Sequence, residues 1–239
     1  GLYYAEGYFH QELDESGWQN EQYLQSDVDE LPLERLTDED GDPLTVSVQT
    51  RESTIDIAVW AADVGRNKLL LLDSNVESNR PEDRELTANL YGGDDTVRIR
   101  QELILGVGGL RALTALGIRP STLHLNEGHS AFAVLEWARQ TMQREHRAFS
   151  EVENRISSRT IFTTHTPVEA GHDRFDPDLL ERIIGPLREN IGLDLHDFLA
   201  LGRQNPLSDE ERFCMTVLGM KMSHHINGVS SLHGRVSRE

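Results

Sequence analysis

Two hydrophobic patterns divide the chain. In its second part, short apolar runs typical of buried strands alternate with stretches in which apolar residues recur at helical spacing. The runs at 121–125 and 160–163 are each followed by such a helical stretch. Alternation of strands and helices favours a parallel sheet with helices on both faces. The pattern therefore predicts an α/β fold for residues 77–239.

Residues 1–76 have a different pattern. Residues 55–60 alternate apolar with polar or small side chains, as a half-buried strand does, and residues 67–72 end in four leucines, which predicts a strand buried on both faces. Turn signals at 14–17 and 38–43 separate further short extended pieces. We predict a β-rich section that interrupts or extends the main sheet.

The predicted helices have recognisable ends. One begins near Thr96, with Asp94, Asp95 or Thr96 as its N-cap, and ends at Gly117. Glycines at 106, 108 and 109 each cost this helix about 1 kcal/mol relative to alanine, so we expect them to allow close packing against a neighbouring backbone. The remaining predictions are helices at 127–143 with Asn126 as N-cap, at 149–157, 177–187 and 207–223, a strand at 226–230, and a last helix begun by Ser230 or Ser231.

Polar residues follow two of the predicted strands. The first strand is followed by Asn126-Glu127-Gly128-His129, and the second ends in Thr163-Thr164-His165-Thr166-Pro167. In open α/β sheets, ligands bind beyond the carboxyl ends of the strands. The two segments therefore predict one polar crevice suited to a hydroxyl-rich ligand.

The position of His165 allows two interpretations with equal weight. Its imidazole could donate a hydrogen bond to a sugar hydroxyl, or it could be a hydrogen-bonded structural residue. Pro167 favours an extended Thr166, which leaves the His165 carbonyl exposed to whatever fills the crevice.

The residues after the first strand also have alternatives. Asn126 is favoured as a helix cap, and Glu127 fits either a ligand contact or a first-turn acid that complements the helix dipole. Cations are disfavoured at a helix N-terminus, so a neutral His129 turned towards a ligand is predicted. The segment Tyr91-Gly92-Gly93-Asp94-Asp95 fits a turn with capping acids or a mobile gate with a carboxylate near a sugar.

Composition excludes several classes of function. An excess of 41 Asp and Glu over 23 Lys and Arg gives a net charge of −18, which repels nucleic acid and anionic membranes. The single Cys214 cannot form an internal disulfide, so a cytoplasmic location is predicted, and no run approaches the length of a membrane span. The histidines do not match a zinc-protease spacing and lack acidic partners at ligand spacing, so no metal site is predicted.

Six segments, in order, resemble the α-glucan (glycogen or maltodextrin) phosphorylases, especially the shorter bacterial and archaeal type. They lie at 6–11 with 17–19, 70–76, 90–94 with 98–102, 124–131, 162–168 with 171–173, and 227–234. They span essentially the whole chain. Six segments in the family's order are far more specific than any one motif.

The resemblance implies a Rossmann-like fold of the glycosyltransferase B type, with a largely parallel sheet, flanking helices and a β-rich insertion. The chain would be an incomplete N-terminal domain, β-rich over 1–76 and α/β over 77–239. The implied full-length enzyme uses inorganic phosphate to cleave terminal α-1,4-glucosidic bonds and yields glucose 1-phosphate. Its cofactor is pyridoxal phosphate, its partner is an α-1,4-glucan, and it is a homo-oligomer.

The resemblance also implies roles for individual residues. His165 matches the catalytic histidine that contacts the glucosyl unit, and Thr166 beside it is a substrate-binding residue. Glu127 and His129 match the acid and the histidine on the acceptor side of the site, with Asn126 grouped with them.

The segment at 91–95 matches the loop that gates the catalytic cleft. Either Asp94 or Asp95 is expected to touch the sugar. This loop is shorter than in the animal enzymes, so the resemblance does not choose between the two aspartates.

Two departures from the family limit what this chain is expected to do. Its only lysines, Lys68 and Lys221, lie in nothing like the motif of the cofactor-bearing lysine, and the glycine-rich helix start and basic cluster that hold phosphate are missing. The isolated chain is therefore expected to lack phosphorylase activity and to form no aldimine. The alternatives are a non-catalytic glucan-binding fragment and a nucleotide-sugar glycosyltransferase such as a glycogen synthase, although no segment resembles a nucleotide site.

Overall fold

A computed structural model describes residues 1–7, 10–22, 24–90 and 93–238, without the side chains of Asp29 and Ala170. The strands are β1 His10–Leu13, β2 Gln19–Gln22, β3 Glu34–Arg35, β4 Thr45–Gln49, β5 Thr54–Val64, β6 Asn67–Asp73, β7 Leu123–Asn126, β8 Thr160–Thr164, β9 Arg174–Phe175, β10 Phe213–Cys214 and β11 His225–Gly228. The α-helices are α1 Pro81–Arg84, α2 Asp95–Leu103, α3 Gly109–Ala115, α4 Phe132–Glu145, α5 Phe149–Ser157, α6 Pro177–Asn190, α7 Leu195–Gly202, α8 Met215–Lys221 and α9 Ser231–Val236. A π-helix, Ile104–Gly108, joins α2 to α3, and 3-10 turns cover Val28–Glu30, Gly128–Ser130 and Glu169–Gly171.

The predicted Rossmann-like α/β fold is confirmed. Strands β7, β8 and β11 form a parallel sheet in the order β11-β8-β7, with helices packed around it. Asn126 pairs with Thr163, and Gly228 pairs with Thr164. The three carboxyl ends therefore meet at one edge of the sheet, where the sequence predicted a crevice.

The β-rich section forms a sheet of its own. Strands β3, β5 and β4 pair antiparallel in that order, and β6 pairs with β5. The prediction that the leucine-rich strand β6 is buried on both faces is wrong, because Leu69 is 43% exposed and Leu72 only 2% exposed. The reason is that the β5–β6 hairpin extends past the core, as the 57% exposure of Val64 also shows.

The glycine-containing helix packs closely at Gly106 and Gly108, as predicted, whereas Gly109 has only an ordinary contact. A Cβ atom at Gly106 would lie 2.8 Å from the Ala133 backbone nitrogen of α4, and one at Gly108 would lie 2.6 Å from Cδ1 of Ile57 in β5. The π-helix therefore lies between α4 and the antiparallel sheet. Asp94 caps α2 by accepting hydrogen bonds from two backbone N–H groups, as one of the predicted caps.

Two helix predictions need correction. Asn126 belongs to β7 and caps nothing, because a 3-10 turn follows and α4 begins only at Phe132. The helix predicted at 207–223 begins only at Met215, and α7 before it was missed. Tertiary contacts decide the second case, since Phe213 pairs with Phe175 in β10–β9 and its ring stacks on Phe198 at 5.5 Å.

Apolar residues of both sheets belong to one buried cluster, which includes Ile57 of β5, Val107 of the π-helix, Phe132 of α4 and Phe162 of β8. Burial of such side chains is the main source of stability in a domain of this size. In the described part of the chain, no helix combines the length and apolar character needed to cross a membrane.

Candidate functional site at the strand ends

Thr163 of β8 connects the polar side chains of all three parallel strands. Its hydroxyl donates to Asn227 Oδ1 of β11 at 3.2 Å and lies 2.6 Å from His124 Nε2 of β7. Because a hydroxyl has one proton, His124 must donate to Thr163 through Nε2. The hydrogen bonds among His124, Thr163 and Asn227 hold the polar ends of the three strands in place relative to each other.

Glu127 joins the two predicted site segments. Its Oε1 accepts hydrogen bonds from the backbone N–H groups of His165 and Thr166, the second at 2.7 Å, and from the Thr164 hydroxyl at 3.3 Å. The side chain is buried, and its second oxygen, Oε2, is buried without a partner among the described residues. The carboxylate thus holds the turn at the end of β8 in place, while one oxygen keeps its accepting capacity.

The backbone of Glu127 is strained. Its φ of 66° and ψ of −175° fall in a region adopted almost only by glycine, at a cost of about 1–3 kcal/mol. Helical geometry cannot begin there, which explains why α4 starts late and why Glu127 is not a first-turn acid. The next residue, Gly128, lies so close to α8 that a Cβ would be 2.8 Å from the Thr216 backbone nitrogen.

His165 has an exposed side chain at the end of β8. Its ring makes no hydrogen bond to any described residue, whereas its backbone N–H is held by Glu127. In the described part of the protein, the hydrogen-bonded structural interpretation of His165 therefore has no support. Thr166 is half-buried, and its methyl group occupies the space in which a Cβ at residue 171 would lie, so Gly171 is required there.

His129 lies in a cluster of charged side chains from three segments. Its Nδ1 is 3.0 Å from Asp173 Oδ2, 3.4 Å from Glu102 Oε1 and 3.3 Å from Arg98 Nη2. Arg98 also donates to Asp173 Oδ2 at 2.9 Å. Only Asp173 Oδ2 can accept from both, so Nδ1–H of His129 and the guanidinium share one acceptor.

The cluster shifts the ionisation of its members. Hydrogen bonds to Asp173 and then to Glu102 raise the pKa of His129 to about 9. Burial raises the pKa of Glu102 well above its usual value. Burial opposes ionisation of Asp173, but the hydrogen bond from His129 and the charge of Arg98 lower its pKa overall. The ring is therefore cationic at neutral pH, against the predicted neutral imidazole.

The two candidate aspartates before α2 have different surroundings. Asp94 Oδ1 accepts from the N–H groups of Thr96 and Val97, and Asp95 pairs with Arg212 at 2.7 Å on the exposed surface. Neither contacts the other site residues named above. Tyr91 and Gly92 of the predicted gate lie outside the described residues.

Sequence reasoning gave no role to three residues that the fold brings to His129: Arg98, Glu102 and Asp173. All three lie in segments that carry the family resemblance. Glu102 is four residues after Arg98 on α2, which places both side chains on one helix face. This spacing indicates that Arg98 and Glu102 lie side by side on the helix, but it does not identify His129 as their partner.

The donor atoms of Glu102, His129 and Asp173 lie within 4.8 Å of one another, and such a set could hold a divalent cation. Arg98 supplies positive charge at Asp173 Oδ2, at the position where a cation would bind. The same distance criterion is met by Asp194, His196 and Asp197, which are all exposed. The chemistry of the buried set therefore favours a salt-bridged histidine over a metal centre.

Neither lysine is placed to carry an aldehyde cofactor. Lys68 lies on the exposed β5–β6 hairpin, 3.5 Å from Asp63. Lys221 Nζ donates to the carbonyls of Ala200 and Arg203 at 2.8 and 2.6 Å. The residues present in this chain do not fit a Schiff base with pyridoxal phosphate.

Two large surface depressions lie away from the strand ends. One, of about 800 Å³, is lined by Trp137 and by arginines of α3, α4 and the loops beside them. The other, of about 850 Å³, is lined by residues of the N-terminal segment and of 73–89. Neither includes a residue of the site, which is defined here by its polar contacts.

The whole chain is similar to segments of known phosphorylases. It is 41% identical to a glycogen phosphorylase of Mycobacterium tuberculosis over 100% of its length, and 41% identical to a maltodextrin phosphorylase of Thermococcus litoralis, also over 100%. A glycogen phosphorylase of Aquifex aeolicus is 32% identical over 99% of the chain. The chain spans 29%, 28% and 34% of these three proteins. No family model matches it. The resemblance inferred from the six segments is confirmed: over its full length, the chain is homologous to a segment of the α-glucan phosphorylases.

Proposed function

We propose that this chain forms the sugar-facing part of the N-terminal domain in an α-glucan phosphorylase. The observation that carries the proposal is the Glu127 carboxylate, which holds the backbone of His165 and Thr166 and leaves the His165 ring exposed at the strand ends. An exposed imidazole on a backbone fixed in this way suits a ligand rich in hydroxyl groups.

In the longer enzyme, inorganic phosphate would cleave the terminal α-1,4 bond of a glucan and give glucose 1-phosphate. In this proposal, His165 contacts the glucosyl unit with Thr166 as a substrate-binding residue beside it, while Glu127 and His129, with Asn126, face the acceptor side. Asp94 or Asp95 is the candidate for a further sugar contact. Pyridoxal phosphate would be held in the longer enzyme by a lysine other than Lys68 and Lys221, and its phosphate group would supply acid–base chemistry. Cytoplasmic location and homo-oligomerisation belong to the same proposal.

The isolated chain is proposed to bind glucan without turning it over. Lys68 lies on an exposed hairpin and Lys221 is held by two carbonyls, so neither is placed to carry the cofactor, and the chain lacks the group that would activate phosphate. Incubation of the purified chain with maltoheptaose, inorganic phosphate and pyridoxal phosphate should release no glucose 1-phosphate. Detectable release would refute this part of the proposal.

Binding is tested with the same chain, labelled with ¹⁵N and titrated with maltoheptaose. Amide shifts should change at His165 and Thr166 and along the end of β7. His165→Gln should reduce the affinity by about three- to tenfold, the effect of losing one net hydrogen bond. The matched control is His196→Gln, because His196 is also exposed but lies on α7. Equal affinity in both variants would remove His165 from the site.

The glucan-binding alternative makes a different prediction for the longer protein. If the chain comes from a non-catalytic binder, His165→Gln in the longer protein should weaken glucan binding, and no phosphorolysis should be measurable even in the unmodified protein. If it comes from a phosphorylase, the same substitution should lower kcat. A nucleotide-sugar glycosyltransferase would instead bind a nucleoside diphosphate sugar and show no dependence on inorganic phosphate.

A further inference from the structure

The charged cluster around His129 is built from three separate segments. Arg98 and Glu102 come from α2, His129 follows β7, and Asp173 lies in the segment after β8. All contacts of the His129 ring with described residues are made through Nδ1. The other ring nitrogen, Nε2, has no partner among them, and the side chain is 36% exposed.

We propose that Asp173 and Glu102, together with Arg98, are positioning residues that hold His129 by Nδ1 and present Nε2–H to the glucan. This assignment rests on the proposed function, since it specifies how one residue of that site is oriented. Asp173 Oδ2 accepts a hydrogen bond from Nδ1–H of His129, and Arg98 donates a second hydrogen bond to the same oxygen. His129 then has one orientation and one free donor.

The cluster is anchored on every side. Glu102 is 2% exposed, and its second oxygen is buried without a partner among the described residues. The carbonyl of Asp173 accepts from the Met215 N–H at 3.0 Å, so its backbone is attached to the start of α8. A side chain supported by such fixed partners keeps its rotamer without help from the ligand, which is what a preorganised binding group requires.

A glucan hydroxyl is the ligand group that this orientation suits. An imidazolium with Nδ1 bound to a carboxylate donates through Nε2 and cannot accept there. A hydroxyl oxygen accepts a hydrogen bond from Nε2–H, and its own O–H remains free to donate to another acceptor. A sugar hydroxyl therefore fits Nε2–H of His129 as its acceptor.

The charged and titratable groups facing His129 come from each element packed against it. They are Arg98 and Glu102 from α2, and Asp173 with His172 from the segment after β8. His172 Nδ1 is engaged by the Thr216 hydroxyl at 2.9 Å. On α8, Lys221 is held by two carbonyls elsewhere. Ionisation of His129 therefore reports on Asp173 and Glu102 in particular.

The test uses the 239-residue chain and measures the ¹⁵N shifts of its imidazole nitrogens as the pH is raised. In the unsubstituted chain, the ring of His129 should stay doubly protonated above pH 6.5 and lose the Nε2 proton near pH 9, while Nδ1 keeps its proton. Asp173→Asn should lower the titration midpoint of His129 by about one pH unit or more, because an amide does not stabilise the cation. Glu102→Gln should lower it by less, since Glu102 Oε1 is farther away. Asp197→Asn is the matched control, because it removes the carboxylate beside exposed His196 and should leave His129 unchanged.

Maltoheptaose affinity separates positioning from a purely structural role. Asp173→Asn should weaken it by about three- to tenfold while far-ultraviolet circular dichroism stays unchanged, and Asp197→Asn should not weaken it. If Asp173→Asn does not fold, the tautomer of His129 in the unsubstituted chain decides: a bare Nδ1 in the neutral ring would overturn the proposal. Unchanged titration in Asp173→Asn would also overturn it, even if glucan binds. Failure of the unsubstituted chain to bind any glucan, with the ring held as described, would instead refute the proposed function.

Discussion

The backbone N–H of His165 donates a hydrogen bond to the carboxylate of Glu127, thirty-eight residues earlier in the chain. The contact joins the ends of two neighbouring parallel strands. Since Thr166 donates to the same oxygen, a single side chain determines where the turn after β8 lies. Its own backbone is held in a conformation that costs free energy, which is typical of residues retained at functional sites.

Removing the Glu127 carboxylate should destabilise the protein. Glu127→Ala leaves the two N–H groups without their acceptor, and we expect a loss of about 2–3 kcal/mol in the free energy of unfolding by urea. Glu127→Gly loses the same contacts, but glycine adopts a positive φ without strain. Its loss of stability should therefore be smaller than that of Glu127→Ala by about 1 kcal/mol. Glu169→Ala is the control, because Glu169 makes only an exposed salt bridge and should change stability by less than about 0.5 kcal/mol. If Glu127→Ala and Glu169→Ala unfold at the same urea concentration, the carboxylate does not hold the turn.

Two glycines of one helical segment should respond to alanine in opposite directions. At Gly106 a methyl group would meet the Ala133 backbone nitrogen at 2.8 Å, so Gly106→Ala should cost about 1–3 kcal/mol. At Gly109 the nearest atom would be Leu72 Cδ1 at 3.7 Å, an ordinary contact. Gly109→Ala should therefore stabilise by about 0.5–1 kcal/mol through helix propensity alone. Thermal unfolding of the two variants provides the comparison, and a stabilised Gly106→Ala would show that α4 is farther away.

The adjacent aspartates before α2 should also differ. Asp94→Ala removes an N-cap and should cost about 0.5–2 kcal/mol. Asp95→Ala removes an exposed salt bridge to Arg212 and should cost less than about 0.5 kcal/mol. Maltoheptaose titration of both variants then tests the proposed sugar contact. Loss of affinity in Asp95→Ala without loss of stability would identify Asp95 as the residue that touches the sugar. If both variants bind maltoheptaose as tightly as the unsubstituted chain does, neither aspartate contacts the sugar.

Stability should depend on pH through His129. Because its pKa is raised from 6.5 to about 9 in the folded state, its contribution to stability is fully present below pH 6.5 and is lost as the pH rises through about 9. Asp173 acts in the opposite direction: its pKa is lowered, so its contribution is present above pH 3.8 and is lost as the pH falls through the lower folded value. When urea unfolding is measured at pH values on both sides of 9, the free energy of unfolding should decline less towards alkaline pH for His129→Gln than for the unsubstituted chain. His196→Gln should keep the full decline, and a parallel decline in all three proteins would place the effect elsewhere.

Local signals were sufficient for a large part of the fold. The helix at 149–157 was predicted from residues within one turn of it, and the observed caps Asp94 and Ser230 were each among the alternatives predicted in the same way. The glycines at 106, 108 and 109 were assigned to close packing because nothing else would offset their cost in a helix, and the structure confirms this at 106 and 108 but not at 109. Features of this kind depend on the backbone near the residue, so a sequence contains them directly.

The rest depends on partners distant in sequence. Asn126 is a residue type that favours a helix N-cap. No helix begins after it, because Glu127 has a strained backbone and its carboxylate is bound to a turn almost forty residues later. Phe213 lies in a stretch with helical spacing and becomes a strand because Phe175 and Phe198 receive it. The cluster at His129 is of the same type, since its four members come from three segments. The strand-end pattern placed His129 at the predicted crevice and the family resemblance gave it a role, but no local pattern named its partners.

The glycines of the π-helix also bear on how the protein melts. Gly108 lies against Ile57 of the antiparallel sheet, while Gly106 lies against α4, whose Phe132 shares one buried cluster with Phe162 of the parallel sheet. Unfolding of either sheet would expose one side of the π-helix. The other sheet would then lose part of the packing that the π-helix provides. Calorimetry should therefore record a single heat-absorption peak for the two sheets. Cleavage between them, at 76–77, should yield two pieces that aggregate rather than two that refold.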